Sequence, residues 1–400
     1  PPSETAGGGG RRWAQWLART AAVGGLALLA LVLLRGAPPA PGAPATERWE
    51  WDLPQNFPTP RVPAANPMST AKVALGRRLF YDTRLSGNGT QSCSSCHMQK
   101  RAFTDGRARA VGSTGMVHPR GALSLANVAY NATLAWANPA LVRLEQQATV
   151  PLFGDDPVEM GVNDRNKRAV LARLRRDPVY RTLFPRAFPN RKAPENWNSI
   201  TQALAAFQRT MISGDSRYDR HLAGKGRLNA AERRGMAIYF SEKAECFHCH
   251  SGYNLNDQAT HVGARRTGPL FHNTGLYNLG GTGAFPDDNQ GLIEVTGRAG
   301  DMGAFRAPTL RNIAVTAPYM HDGSIATLRE VVDFYAAGGR VIADGPNAGD
   351  GRANPYKSDL IANITLTPRE RADLVAFLKT FTDRRFLTDP PLSDPFKRKP

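Results

Sequence analysis

Cysteine is scarce in this chain. Four residues among 400 cannot build a disulfide-stapled scaffold, so a packed core must hold the fold. Acidic side chains are outnumbered, 34 Asp and Glu against 51 Lys and Arg, which leaves a formal charge of +17. No nucleic-acid recognition motif accompanies that charge. It reads as a solvated, arginine-rich surface or as a field that steers an acidic partner protein into contact. Strand signals are few and short, so the fold is mainly α. Long apolar runs are also missing, with one exception at Trp13–Leu34, densest over Thr20–Leu34 and preceded by Arg11, Arg12 and Arg19. That run fits a signal peptide or an uncleaved membrane anchor, and small residues at Ala43-Pro44-Ala45 would permit cleavage. Either fate puts the protein outside the cytoplasm.

What is present describes a globular chain. Hydrophobic residues make up 41% and charged residues 21%, and the length suits two domains of ordinary size. Thirty prolines and 38 glycines predict long irregular connections around short helices. The expected organisation is a disordered tail at 1–12, the apolar segment at 13–34 and a Pro-rich linker at 35–60. Two domains follow at 61–215 and 216–390, with a short tail at 391–400.

All four cysteines lie in two copies of Cys-x-x-Cys-His: Cys93, Cys96, His97 and Cys246, Cys249, His250. That spacing attaches c-type haem, the thiols adding to the vinyl groups and the histidine binding the iron. A redox Cys-x-x-Cys or half a zinc site would explain one copy with a chance histidine. Two copies with no cysteine left over point to a dihaem protein.

A helical segment of similar character precedes each motif. The first is Thr70–Phe80, with apolar residues at Val73, Leu75, Leu79 and Phe80. The second is Asn229–Phe240, where Asn229 and Glu232 form a capping box. A helix carrying an aromatic just before Cys-x-x-Cys-His opens a cytochrome c domain. A closing helix fits at Thr367–Phe381, with Pro368 at its first position and an apolar stripe of Leu374, Phe377, Leu378 and Phe381. Ile200–Met211 fits the same role in the first half, and a boundary falls near Gly214–Gly226. The expected fold is therefore mainly α, two cytochrome c-like domains in tandem, each with one covalent haem.

Longer segments carry a family resemblance. They are Ala102–Gly106, Ser124–Val128, Trp136, Leu144–Ala148 and Pro157–Gly161 in the first half. In the second half they are Phe305–Asn312, Thr316–Gly323 and Val331–Gly339. On these the chain resembles the dihaem bacterial cytochrome c peroxidase and MauG family over nearly all of residues 65–385. The resemblance implies a periplasmic, haem-dependent oxidoreductase acting with hydrogen peroxide, held in the periplasm as an exported protein or by an inner-membrane tether. It implies that His97 is the proximal ligand of a peroxide-reactive haem, with a distal pocket of Gln147, Pro151 and Glu159. A carboxyl beside an open iron position moves a proton between the oxygens of peroxide, which is the chemistry Glu159 would supply. Trp136 matches the family's tryptophan between the two haems, a relay for an electron or hole.

The second haem has His250 as its proximal ligand. In the family the opposite ligand stands nineteen residues after the threonine of Thr-x-Pro-Tyr. It is methionine in peroxidases fed by small cytochromes and tyrosine in MauG-type enzymes. Counting from Thr316 gives Tyr335. Met320 and Met302 are rivals, and methionine would raise the potential where a phenolate lowers it. His321 reads as a hydrogen-bonding residue of the pocket, while His118, His221, His248, His261 and His272 receive no role. The family's calcium uses carbonyl oxygens matched by Thr316 and Pro318 and an asparagine whose place is Gly121 here, which puts calcium in doubt.

Within the MauG-like branch, Ala244 stands where MauG has a surface tryptophan. Val111–Arg120, Pro151–Pro157, Phe271–Asn278 and Leu387–Pro390 are similar to MbnH-type enzymes. These convert a tryptophan of a copper-binding partner protein, MbnP, to kynurenine. Two further readings stand beside that one. The chain could be a cytochrome c peroxidase drawing electrons from a small redox protein, or an electron carrier without enzymatic activity, which Glu159 beside an open haem would contradict.

Overall fold

A short helix before each haem motif and a longer one near the end of each half set the architecture. The computed structural model describes residues 48–265, 268 and 270–396. The expected tail at 1–12, the apolar run at 13–34 and the start of the linker lie outside them. Among the described residues no helix is long and apolar enough to cross a membrane.

In the first lobe Ser69 starts the opening helix Thr70–Tyr81, its side chain accepting the Lys72 N–H at 3.2 Å. The closing helix runs Trp197–Arg209, where Asn196 accepts from the Ser199 N–H at 3.0 Å. It begins and ends slightly earlier than the apolar pattern suggests, because the cap residue rather than the first apolar side chain decides the start. The second lobe repeats the plan. Its opening helix, Ala230–Tyr239, has the expected box of Asn229 and Glu232, and its closing helix, Pro368–Lys379, has a box of Thr367 and Glu370.

The helices of each pair cross at backbone contact. A Cβ on Gly76 would lie 1.9 Å from the Ala203 carbonyl oxygen, and one on Gly235 would lie 2.0 Å from that of Asp373. Only glycine permits either approach. Around each crossing the same ring contact recurs, Phe80 to Phe207 at 5.4 Å and Tyr239 to Phe377 at 5.3 Å. Leu75, Leu79 and Phe207 are fully buried in the first core, as are Tyr239, Phe377 and Phe381 in the second. Each such side chain stabilises its lobe by about 1.5–3 kcal/mol of apolar burial.

A pair of asparagines closes the lobes. Asn127 and Asn312 both have left-handed backbone, φ 57° and 61°. Asn127 accepts from the Ser213 N–H at 2.7 Å and Asn312 from the Asp383 N–H at 2.8 Å. Asn312 also donates to Ser213 Oγ at 3.0 Å, and the buried Asp383 carboxylate accepts from the Gly214 and Asp215 N–H groups, both at 3.0 Å. This polar knot ties Asn127 and Ser213 to Asn312 and Asp383.

Three helices lie outside the segments read as helical from the sequence: Lys167–Arg176, Pro178–Ala187 and Arg217–Leu222. The last lies inside the expected boundary and is held by Arg311, which makes a two-pronged contact with Asp219 at 2.9 and 3.0 Å. Strand is limited, among the described residues, to the short antiparallel pair Val341–Ile342 and Gly349–Asp350. The described end of the Pro-rich segment is pinned by rings, Phe57 meeting Tyr130 at 6.0 Å and Tyr253 at 5.2 Å.

Candidate functional site

Both Cys-x-x-Cys-His motifs form a single helical turn directly after the opening helix, Cys93–Cys96 and Cys246–Cys249. Each histidine is oriented from behind. His97 Nδ1 lies 2.7 Å from the Phe103 carbonyl and His250 Nδ1 lies 3.3 Å from that of Leu255. Those carbonyls are aimed by left-handed backbone at Phe103 (φ 62°) and Leu255 (φ 50°), an unfavourable conformation for such residues. With Nδ1 donating, Nε2 is left free to bind a metal. Burial holds both imidazoles below the ordinary histidine range, hence neutral and able to ligate. Burial also pushes the Cys93 and Cys246 thiols up to about 12, whereas a dithiol redox motif needs a lowered value.

In the second lobe these groups floor a cavity. The helix Leu328–Ala336 gives it one face, Leu328, Val331, Val332 and Tyr335, at the spacing of a single helical stripe. Leu374 and Leu378 of the closing helix supply apolar wall. Two thiols, a neutral imidazole and a tyrosine around an apolar space are the donor set of a c-type haem, and the residues fit that group. No protein group among the described residues hydrogen-bonds the Tyr335 hydroxyl. Burial raises its pKa above the ordinary tyrosine range, so a phenolate here requires a neighbouring cation. Met320 lines the same cavity, whereas Met302 packs against the core beside it.

Glu159 stands in the first lobe. Its charge reaches both first-lobe thiols, adding to the burial that raises them. Its backbone is held on both sides, since its carbonyl accepts from the Ser113 N–H at 2.7 Å and the next residue, Met160, donates to the Pro151 carbonyl at 2.8 Å. Pro151 lies in the turn Thr149–Phe153, and Gln147 ends the turn before it, Leu144–Gln147. Glu145 anchors that first turn, bonding to Arg209 at 2.8 Å and Asn66 at 2.7 Å. Burial would raise the Glu145 carboxyl, but the Arg209 guanidinium outweighs it and holds the group below the usual carboxylate range. Among the described residues no guanidinium pairs with Glu159, and burial lifts its carboxyl to about 7. The side chain is still 36% accessible, so it lines a recess rather than the interior.

A bridge of residues joins the lobes. Trp136 donates its indole N–H to the Gly121 carbonyl at 2.9 Å, and the Gly121 N–H donates to the His321 carbonyl at 2.8 Å. The His321 ring stacks on Phe305 at 3.7 Å and meets Trp136 edge-on at 6.5 Å. Burial pushes His321 down to about 3, so it is neutral, and its buried Nε2 finds no protein partner. Trp136, His321, Gly121, Thr316 and Pro318 all border the second-lobe cavity, whereas Gln147, Pro151 and Glu159 do not. Sequence reading passed over two neighbours of these groups. Glu145 and His118 both lie in segments that carry the resemblance, Leu144–Ala148 and Val111–Arg120, yet received no role; His118 Nε2 stands 4.0 Å from Glu159 Oε1.

Residues 70–227 match the family model for di-haem cytochrome c peroxidase. The cytochrome-c peroxidase IdrP1 of Denitromonas iodatirespirans is 37% identical, spanning 83% of this chain and 86% of that protein. The methylamine utilization protein MauG of Methylorubrum extorquens is 34% identical over 82% of each. Among solved structures, a MauG-like protein associated with microbial copper homeostasis is 57% identical. It covers 87% of this chain and all of its own, with a TM-score of 0.86.

Proposed function

Because the chain belongs to the dihaem cytochrome c peroxidase and MauG family, we propose that it uses hydrogen peroxide to oxidise an aromatic residue of a partner protein. The broader activity follows from membership: it is a haem-dependent oxidoreductase that uses peroxide and carries two c-type haems. In our reading each lobe is a cytochrome c-like domain with one haem, and the protein works in the periplasm. The residue oxidised is tryptophan, converted to kynurenine, and the partner is a copper-binding protein of the MbnP kind. That choice draws support from the 57% identity to a protein linked to copper homeostasis.

The haems, when bound, accept the oxidising equivalents of peroxide and hold them for transfer. The chain's own residues do the rest. Glu159 takes a proton from one peroxide oxygen and delivers it to the other, a task suited to a carboxyl poised near neutrality. Pro151 and Gln147 wall the space that admits peroxide and restrict water there. Trp136 carries charge between lobes, its indole fixed by Gly121. His97 and His250 would hold the two haem irons, and Tyr335 would supply the second with an anionic oxygen ligand. His321 offers its free Nε2 to the group that fills the cavity. Thr316 and Pro318 remain the carbonyl donors for calcium, and Gly121 brings no side-chain oxygen to that site.

The observation that carries this reading is Tyr335 on the cavity stripe of Leu328–Ala336, since an anionic oxygen donor stabilises oxidised iron. The second reading, a peroxidase fed by a small redox protein, rests on Met320, which lines the same cavity. Spectroscopy of the oxidised protein and its Tyr335→Phe variant separates the two. A changed low-spin signal supports tyrosine ligation; an unchanged signal with methionine features moves the peroxidase reading ahead. Mass spectrometry of the partner after peroxide treatment then tests kynurenine formation, and an unmodified partner refutes it.

A further inference from the structure

One titratable side chain beside the peroxide site has no part in the chemistry just described. His118 Nε2 lies 4.0 Å from Glu159 Oε1, and that buried nitrogen has no hydrogen-bond partner. The two residues are fixed to one another by backbone. A small hairpin pairs Val111 with Val117, and the His118 N–H donates to the Ala110 carbonyl at 2.8 Å. The same hairpin carries Ser113, whose N–H holds the Glu159 carbonyl. A Cβ on Gly112 would stand 1.7 Å from the Val158 oxygen, so the hairpin lies flush against the backbone that bears Glu159.

The imidazole also feels the charge of Asp105. Asp105 is buried; one carboxylate oxygen accepts from the Arg107 N–H at 2.9 Å, and the other has no partner. Neighbouring guanidinium groups are engaged elsewhere, Arg109 with Asp288 and Arg120 with Glu294. His118 thus sits 4.0 Å from one carboxylate, Glu159, and within reach of the charge of another, Asp105, with 15% of its side chain accessible.

Proton balance gives this imidazole a task. Moving a proton between the oxygens of peroxide is neutral overall, and Glu159 can do it alone. Full reduction is not neutral: hydrogen peroxide, two electrons and two protons give two waters. The electrons come from the oxidised partner, and the protons must enter from solvent. We propose that His118 is the proton-entry residue of the peroxide site, taking protons at its partly accessible side chain and passing them from Nε2 to Glu159 when a small side-chain rotation closes the 4.0 Å gap. Burial lowers His118 and raises Glu159, and both directions favour passage of a proton from the imidazole to the carboxylate.

The proposal rests on Glu159 serving peroxide, and the experiment separates the two. Haem-loaded His118→Gln and Glu159→Gln proteins are mixed with peroxide and then with ascorbate as electron donor, across pH and in heavy water. In the resting proteins the Glu159 carboxyl band is followed by infrared titration. We expect His118→Gln to keep the haem spectra and the first reaction with peroxide. The later, proton-consuming stage slows about tenfold, imidazole restores it, and the Glu159 band titrates at a different pH. His118→Asn serves as the second variant should the glutamine protein fold poorly. If Glu159→Gln reacts normally with peroxide, the assignment of Glu159 fails. If it is inactive while both His118 variants keep the parental pH profile, isotope effect and carboxyl band, the proton-entry role alone is overturned.

Discussion

Trp136 donates its indole N–H to the carbonyl oxygen of Gly121 at 2.9 Å, and Gly121 donates in turn to the His321 carbonyl. The tryptophan is thereby tied to the stretch that follows the first haem motif while it borders the cavity of the second lobe. Replacing Trp136 by Phe keeps an aromatic ring but removes the N–H, a loss of about 1 kcal/mol in stability. The resting spectra of both haems should stay unchanged. Partner oxidation should fall by at least about tenfold, because charge must cross a longer gap between stepping points. Unchanged partner oxidation would remove Trp136 from the route.

The matched crossings at Gly76 and Gly235 make a prediction about stability. A methyl group at either site would enter a carbonyl oxygen 1.9 or 2.0 Å away, and backbone cannot yield as a flexible side chain can. Gly76→Ala and Gly235→Ala should each destabilise the protein by about 3 kcal/mol or more, at the upper end of overpacking penalties. Thermal unfolding of the haem-loaded variants measures this. A variant as stable as the parent would show that its helix pair does not cross at backbone contact.

Much of this arrangement was legible in the sequence because it is local. Asn229 with Glu232 and Thr367 with Pro368 announce helix starts through short-range capping, and the structure has those caps. Cys-x-x-Cys-His names its chemistry through fixed spacing. The helix Arg217–Leu222 has a local signal in its Ser216 and Asp219 capping box, but six residues are too few for a periodic trace, and its tie to Arg311 spans the chain. His118 escaped notice for a long-range reason as well. Its meaning lies in a 4.0 Å distance to a residue forty-one positions later, set by a hairpin that composition does not reveal. Gly76 and Gly235 carry no signal in the sequence pattern, and the crossing geometry explains them.

Glu159 predicts a pH dependence whose sign follows from its displaced carboxyl. Burial raises it from an ordinary 4.5 to about 7. As a base toward peroxide it must be ionised, so the reaction rate should climb as pH rises through about 7 and level off above it. Glu159→Gln should lower the rate about a hundredfold or more and flatten that profile. Stability runs the other way. The folded protein favours the protonated form, so the contribution of this group is full below 4.5 and lost as pH rises through 7. The glutamine variant should therefore gain melting temperature relative to the parent above pH 7 and show no gain below 4.5. A variant that is no more stable than the parent at pH 8 would show that the carboxyl is not raised.

Tyr335 offers the sharpest division between the two functional readings. Its hydroxyl has no protein partner among the described residues and its side chain lines the cavity, where an uncompensated phenolate is unfavourable. A cationic iron opposite His250 would offset that penalty and in return receive an anionic ligand. Tyr335→Met should then raise the potential of the second haem, since a neutral thioether stabilises the reduced iron that a phenolate destabilises. The first haem should keep its spectrum and its reaction with peroxide, because Glu159 and His97 belong to the other lobe. Partner oxidation should fall as the second haem loses its hold on the oxidised state. Redox titration with separate spectral signatures for the two haems follows each part. If the potential stays where it was, Met320 already supplies the ligand, and the chain works as a peroxidase that takes electrons rather than as an oxidant of another protein.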